Sequence, residues 1–147
     1  MLQYVALAAI AGFFLPLQGL LNARASVVLG GPLIGTLINF VGGTIMLVVL
    51  LLFTRTPWPT SAQFGQMPTL AWFMGLAGVF FVGQAAVTMP KLGAAAMIAV
   101  VVASQMFASI LFDHFGILQP PHPVTLQKIA GAILLLAGVW LILRPGQ

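Results

Sequence analysis

Five long apolar stretches, separated by short segments rich in proline, glycine and charge, set the pattern of this chain. The stretches run from about Gln3 to Asn22, Pro32 to Phe53, Thr69 to Met89, Leu92 to Phe112 and Val124 to Leu143. Each is close to the roughly 20 apolar residues that an α-helix needs to cross about 30 Å of hydrocarbon. Helix is the expected form, because an open strand would leave backbone N–H and C=O groups unpaired in lipid. The expected breaks are Gly30-Gly31-Pro32, the segment holding Pro57, Pro59 and Pro68, a tight turn at Met89-Pro90-Lys91, and the loop with Pro120, Pro121 and Pro123. Tyr4, Trp58, Trp72 and Trp140 fall near the span ends, where amphipathic rings favour the headgroup level. The chain therefore reads as an all-α integral membrane protein, a single transmembrane domain of five helices over 1–147.

Composition sharpens that picture. The 147 residues are 61% hydrophobic and carry only five Lys or Arg and one acidic residue. A soluble domain is about a quarter charged, so this chain cannot cover a globule with polar surface. The net charge of +4 comes from Arg24, Arg55, Lys91, Lys128 and Arg144, offset by Asp113. These residues are scattered among span flanks rather than clustered on a face, which excludes a nucleic-acid partner. The lipid bilayer is the expected partner. The N-terminal MLQYVALAAIAGFF has no basic n-region and reads as a permanent span rather than a cleaved leader.

With five spans the two ends of the chain lie on opposite membrane faces. The N-terminal face then holds Arg55 and Lys128, and the other holds Arg24, Lys91 and Arg144, two against three. Lys/Arg bias in short loops sets orientation, and a difference of one gives almost no instruction. Such a chain is expected to insert both ways and to pair as an antiparallel homodimer of ten helices, the arrangement that fused inverted repeats achieve in one chain; the alternative is a single orientation with the N-terminus outside. Small residues mark candidate packing seams: Ala8 with Gly12, Gly35 and Gly43 beside Asn39, and Gly131 with Gly138. These seams suit packing within the chain or, on the fifth helix, between two copies.

Candidate chemistry is confined to neutral polar side chains inside the spans. Phe14, Gln18 and Asn22 recur every four residues and form one stripe of the first helix. Pro16, which lacks the N–H that would reach Gly12, is expected to kink that helix and is a candidate gating element. Asn39 lies about seven residues into the second span, Gln84 and Thr88 share a face of the third, and Gln105, Ser109 and Ser104 lie near the middle of the fourth. Together Gln18, Asn22, Asn39, Gln84, Gln105 and Ser109 suggest a polar cavity for a small-molecule substrate. Asp113 ends the fourth span, on the same membrane side as Lys128. It is expected to approach that residue and to serve as a gate or coupling group. Adjacent Asp113 and His114 do not share a helical face, so no metal site is expected. No nucleophilic triad, phosphate-binding loop or cofactor motif is present, which leaves an enzyme no place to work and implies no cofactor.

Several motifs carry a family resemblance. Gln18-Gly19-Leu20-Leu21-Asn22-Ala23-Arg24, Pro32-Leu33 with Asn39-Phe40, Pro90-Lys91-Leu92-Gly93-Ala94-Ala95, Gln105-Met106-Phe107-Ala108-Ser109 and Asp113-His114-Phe115-Gly116 resemble the YdcZ-type, five-helix branch of the drug/metabolite transporter superfamily. The resemblance covers about residues 3–144. It implies a bacterial inner-membrane protein and a half-size unit that pairs antiparallel into ten helices. The related four-helix multidrug exporters carry a membrane-embedded Glu on their first helix, whereas this first span has only Gln18 and Asn22. A neutral or anionic polar metabolite therefore fits better than a proton-exchanged cationic drug. The expectation is a small secondary transporter, an exporter working by alternating access. Two alternatives share the same features: a dual-topology ion channel and a non-transporting accessory subunit.

Overall fold

The computed structural model describes residues 1–117 and 120–144. Its helices are α1 (Leu2–Val28), α2 (Pro32–Phe53), the short α3 (Ser61–Gly65), α4 (Met74–Leu92), α5 (Ala94–Phe115) and α6 (Leu126–Leu143). A 3-10 turn, Thr69–Phe73, leads into α4. Five segments are long and apolar enough to cross a membrane: α1, α2, the turn plus α4, α5 and α6. They coincide with the five expected spans. No strand occurs among the described residues.

The helix ends differ from the expected ones in instructive ways. α1 runs six residues past Asn22 to Val28 and takes Arg24 into its last turns. The helix thus extends beyond the apolar run itself, because a helix continues for as long as its backbone bonds are made. α1 stops where Gly30 adopts φ +85° and the Gly31 N–H turns back to the Ser26 carbonyl at 2.8 Å. This Schellman geometry needs a residue without a Cβ. Pro32 then opens α2 at a first-turn position, where its missing N–H costs nothing.

The expected turn at Met89-Pro90-Lys91 is not there. α4 continues through Pro90 to Leu92, and the chain breaks instead at Gly93, φ +82°. Proline forfeits one helical bond, to the Ala86 carbonyl, yet its fixed φ suits a helix. The residue that cannot remain helical here is the glycine. Gly116, in the left-handed region, ends α5 in the same manner, with the Ile117 N–H reaching the Phe112 carbonyl at 3.0 Å. Pro16 likewise sits inside an unbroken α1.

Two compact units are distinguishable, Met1–Lys91 and Leu92–Gln147. In the first, α1 and α2 form an antiparallel hairpin whose closest approach is at Gly35. A Cβ there would collide with the Ser26 hydroxyl and lie 3.0 Å from the Ser26 Cα. α4 packs on this hairpin through Met89, 2% exposed, whose methyl fills the space over Gly19. Gly78 receives the edge of the Phe40 ring. In the second unit α5 and α6 pack side by side with Ala103 and Val139 buried. Most large apolar side chains are exposed, among them Phe13, Leu33, Phe80 and Leu134, as befits helices solvated by lipid tails rather than water.

Between α2 and α4, Thr60 caps α3 with a reciprocal box. Its hydroxyl accepts from the Gln63 N–H while the Gln63 side chain accepts from the Thr60 N–H at 2.7 Å. Phe64 of that turn stacks on Trp72, ring centroids 5.9 Å apart.

Candidate solute-binding groove

The stripe expected on α1 is present and faces α2. Phe14, Gln18 and Asn22 line a groove of about 570 Å³ together with Asn39 of α2. Phe14 supplies an apolar wall and the three amides supply the polar groups. The Gln18 Nε2 donates to Asn39 Oδ1 at 3.4 Å, a long bond in an exposed position that a solute could replace at little cost. Asn22 is held more firmly. It is 4% exposed, and its Nδ2 donates to the Val82 carbonyl of α4 at 3.3 Å. That contact fixes the amide's orientation, since only the nitrogen can donate to a carbonyl.

The other expected site residues lie elsewhere. Gln84 lines a separate groove of about 720 Å³ between the start of α2 and α4, shared with Pro32, Phe80 and Gly83. Its Oε1 accepts from the Thr88 hydroxyl at 3.1 Å. Gln105 and Ser109 belong to the second unit, are exposed, and make no side-chain hydrogen bond to any described residue. Their neighbour Ser104 donates to the Val100 carbonyl at 2.9 Å and lines a largely apolar groove of about 480 Å³ between α5 and α6.

The expected approach of Asp113 to Lys128 is present, with Lys128 Nζ 3.2 Å from Asp113 Oδ2. The backbone braces this pair. The His122 N–H donates to the Asp113 carbonyl at 2.8 Å, and Thr125 caps α6 by accepting from the Lys128 N–H at 3.3 Å. Both charged side chains remain about a third exposed, so the pair is at most modestly stabilising.

Sequence reasoning missed Thr36 and Ser26. Both are buried where α1 meets α2, and the Ser26 hydroxyl donates to the Asn22 carbonyl at 2.8 Å. The available signal was positional: Thr36 follows the Gly35 seam directly and precedes Asn39 by three residues, on the same helical face.

Nearly the whole of this chain has a counterpart in a known family. The family model described as "Putative inner membrane exporter, YdcZ" matches residues 3–141, which takes in nearly all of the five spanning segments. The chain belongs to the YdcZ family. A relative, the inner membrane protein YdcZ of Escherichia coli (strain K12), is 34% identical over 138 residues, covering 91% of this chain and 90% of its own. No solved structure matches. As a YdcZ-family member with five membrane-crossing segments, the protein is a multi-pass inner-membrane protein of an exporter family. Within the matched region, Gln18 and Asn22 stand on the part of α1 that faces α2, and Asn22 also reaches α4.

Proposed function

We propose that this protein is a secondary transporter that exports a small polar, neutral or anionic metabolite by alternating access, working as an antiparallel homodimer. The observation that carries the reading is the groove between α1 and α2, where Gln18, Asn22 and Asn39 converge against Phe14 in a chain of an inner-membrane exporter family. Amides offer both donors and acceptors without a charge to desolvate, so they suit a neutral solute, and their N–H groups suit a carboxylate. The absence of any carboxylate on α1 argues against the exchange of a proton for a cationic drug at this site.

In this reading the two units act as one five-helix domain. Gln84, Gln105 and Ser109 are further polar groups offered to the solute, Pro16 and the glycines of α2 supply backbone latitude for rocking, and Asp113 serves as a gate or coupling group. Purified protein in liposomes provides the test, with a panel of polar metabolites offered to the lumen and counterflow measured. A carrier gives saturable flux with counter-substrate exchange. Asn22→Ala and Gln105→Ala each lower that flux about tenfold or more, the loss of roughly 1.4 kcal/mol of solute binding, while the protein still assembles. Full transport in both variants would remove the amides from the site. Non-saturating conductive flux would replace the carrier by a channel.

A further inference from the structure

Most buried or partly buried hydroxyls in the spanning helices, and several exposed ones, follow a common habit. Ser26, Thr44, Thr54, Thr88 and Ser104 each donate to the carbonyl four residues earlier, at 2.7 to 2.9 Å. This back-bond is how a membrane helix ordinarily satisfies a hydroxyl. Thr36 departs from it. Its side chain is 2% exposed, and its Oγ1 has no partner. A second buried polar atom, Asn22 Oδ1, is unpartnered as well, and the bond from Nδ2 to the Val82 carbonyl prevents the amide from turning over to hide it.

Both residues lie against one turn of α4. Asn22 is tied to Val82, and Thr36 Oγ1 faces Gly83, the next residue. A Cβ built on Gly83 would meet nothing within 4 Å except Thr36 Oγ1, at 3.6 Å. There is thus room for at least a methyl-sized group beside the hydroxyl, on the side of Gly83. Buried hydroxyls and amide carbonyls left without partners are rare in native proteins, and each is costly.

We infer that the notch between α1, α2 and α4 binds a single water molecule, which donates to Asn22 Oδ1 and bonds Thr36 Oγ1. A buried water needs polar partners and room of about its own size; the two unpartnered oxygens are the partners, and beside Gly83 no atom other than the Thr36 hydroxyl lies within 4 Å of a Cβ position. A bare cation is disfavoured, because the two side-chain oxygens are neutral, no acidic side chain lies in unit Met1–Lys91, and charge within a spanning segment is costly. The water makes the contact of the α1–α2 hairpin with α4 a wet one, in which bonds are exchanged rather than broken when helices shift. This inference stands independently of the transport reading.

Thermal unfolding of the full-length protein in detergent tests it, because a wet and a dry notch predict opposite signs. Thr36→Val keeps the shape and deletes the hydroxyl. With a bound water the variant unfolds a few degrees lower than the parent, Thr36→Ser stays near the parent, and Thr44→Val, whose hydroxyl bonds only its own helix, shifts little. Gly83→Ala fills the notch. It also unfolds lower if it evicts a water, although Gly to Ala inside a helix is otherwise stabilising. A midpoint that is raised or unchanged in Thr36→Val, or raised in Gly83→Ala, shows a dry notch and overturns the inference.

Discussion

Gly35 and Gly19 look alike in the sequence but are not equivalent in the fold. A methyl on Gly35 meets backbone, the Ser26 Cα at 3.0 Å, whereas a methyl on Gly19 meets only the flexible end of Met89. Backbone cannot yield without separating α1 from α2, while a methionine rotates aside. Gly35→Ala is therefore expected to destabilise the protein by about 1–3 kcal/mol, as overpacking does. Gly19→Ala should be close to neutral, since the gain in helix propensity offsets the displaced methyl. Midpoints of thermal unfolding in detergent would show the difference. The α1 stripe of Phe14, Gln18 and Asn22 was legible in the sequence because helical period alone puts those residues on one face. Thr36 was not. A threonine in a membrane helix normally closes on its own backbone, and only the packing of α4 shows that this one does not.

At the scale of elements, the five spans could be read from apolar length, and the proline-marked breaks held at Pro32, at Pro57 to Pro68 and at Pro120 to Pro123 but not at Pro90. Pro16 and Pro90 both lie inside helices, whereas Gly30, Gly93 and Gly116, all with positive φ, mark the ends. Gly93→Ala should cost about 1–3 kcal/mol, the strain of a side chain in a glycine-only conformation. Pro90→Ala should cost less or even stabilise, since it restores an N–H to the helix. Their order in thermal unfolding tests whether the glycine or the proline terminates α4. The ion pair between α5 and α6 was also legible, because Asp113 and Lys128 fall at facing ends of consecutive spans. Being partly exposed, it should yield a coupling energy of only about 0–1 kcal/mol in a double-mutant cycle of Asp113→Asn and Lys128→Met, falling further with added salt. A large loss of transport in Asp113→Asn with unchanged stability would mark it as a gate.

The whole molecule exposes what a single copy leaves uncovered. Gly12, Gly43, Gly131 and Gly138, expected as packing seams, have nothing within 4 Å of a Cβ built on them. Among the described residues, and within each unit taken by itself, only Gly35 of the expected seam glycines packs tightly. Antiparallel pairing is expected from the family resemblance and from charge, since a chain with Arg55 and Lys128 on one side and Arg24, Lys91 and Arg144 on the other carries almost no orientation bias. Adding two Lys beside Arg55 should drive the population to one orientation and abolish transport, which a second copy with the opposite bias would restore.

The lack of native cysteine makes orientation directly measurable. A single Cys is placed at Ser61 in one variant and after Gln147 in another, and intact cells are treated with a membrane-impermeant thiol reagent before and after permeabilisation. Antiparallel pairing of one chain predicts that each site is labelled in about half of the molecules before permeabilisation and in the remainder afterwards. One site fully labelled and the other fully protected would contradict it, because a population with a single orientation cannot form an antiparallel homodimer.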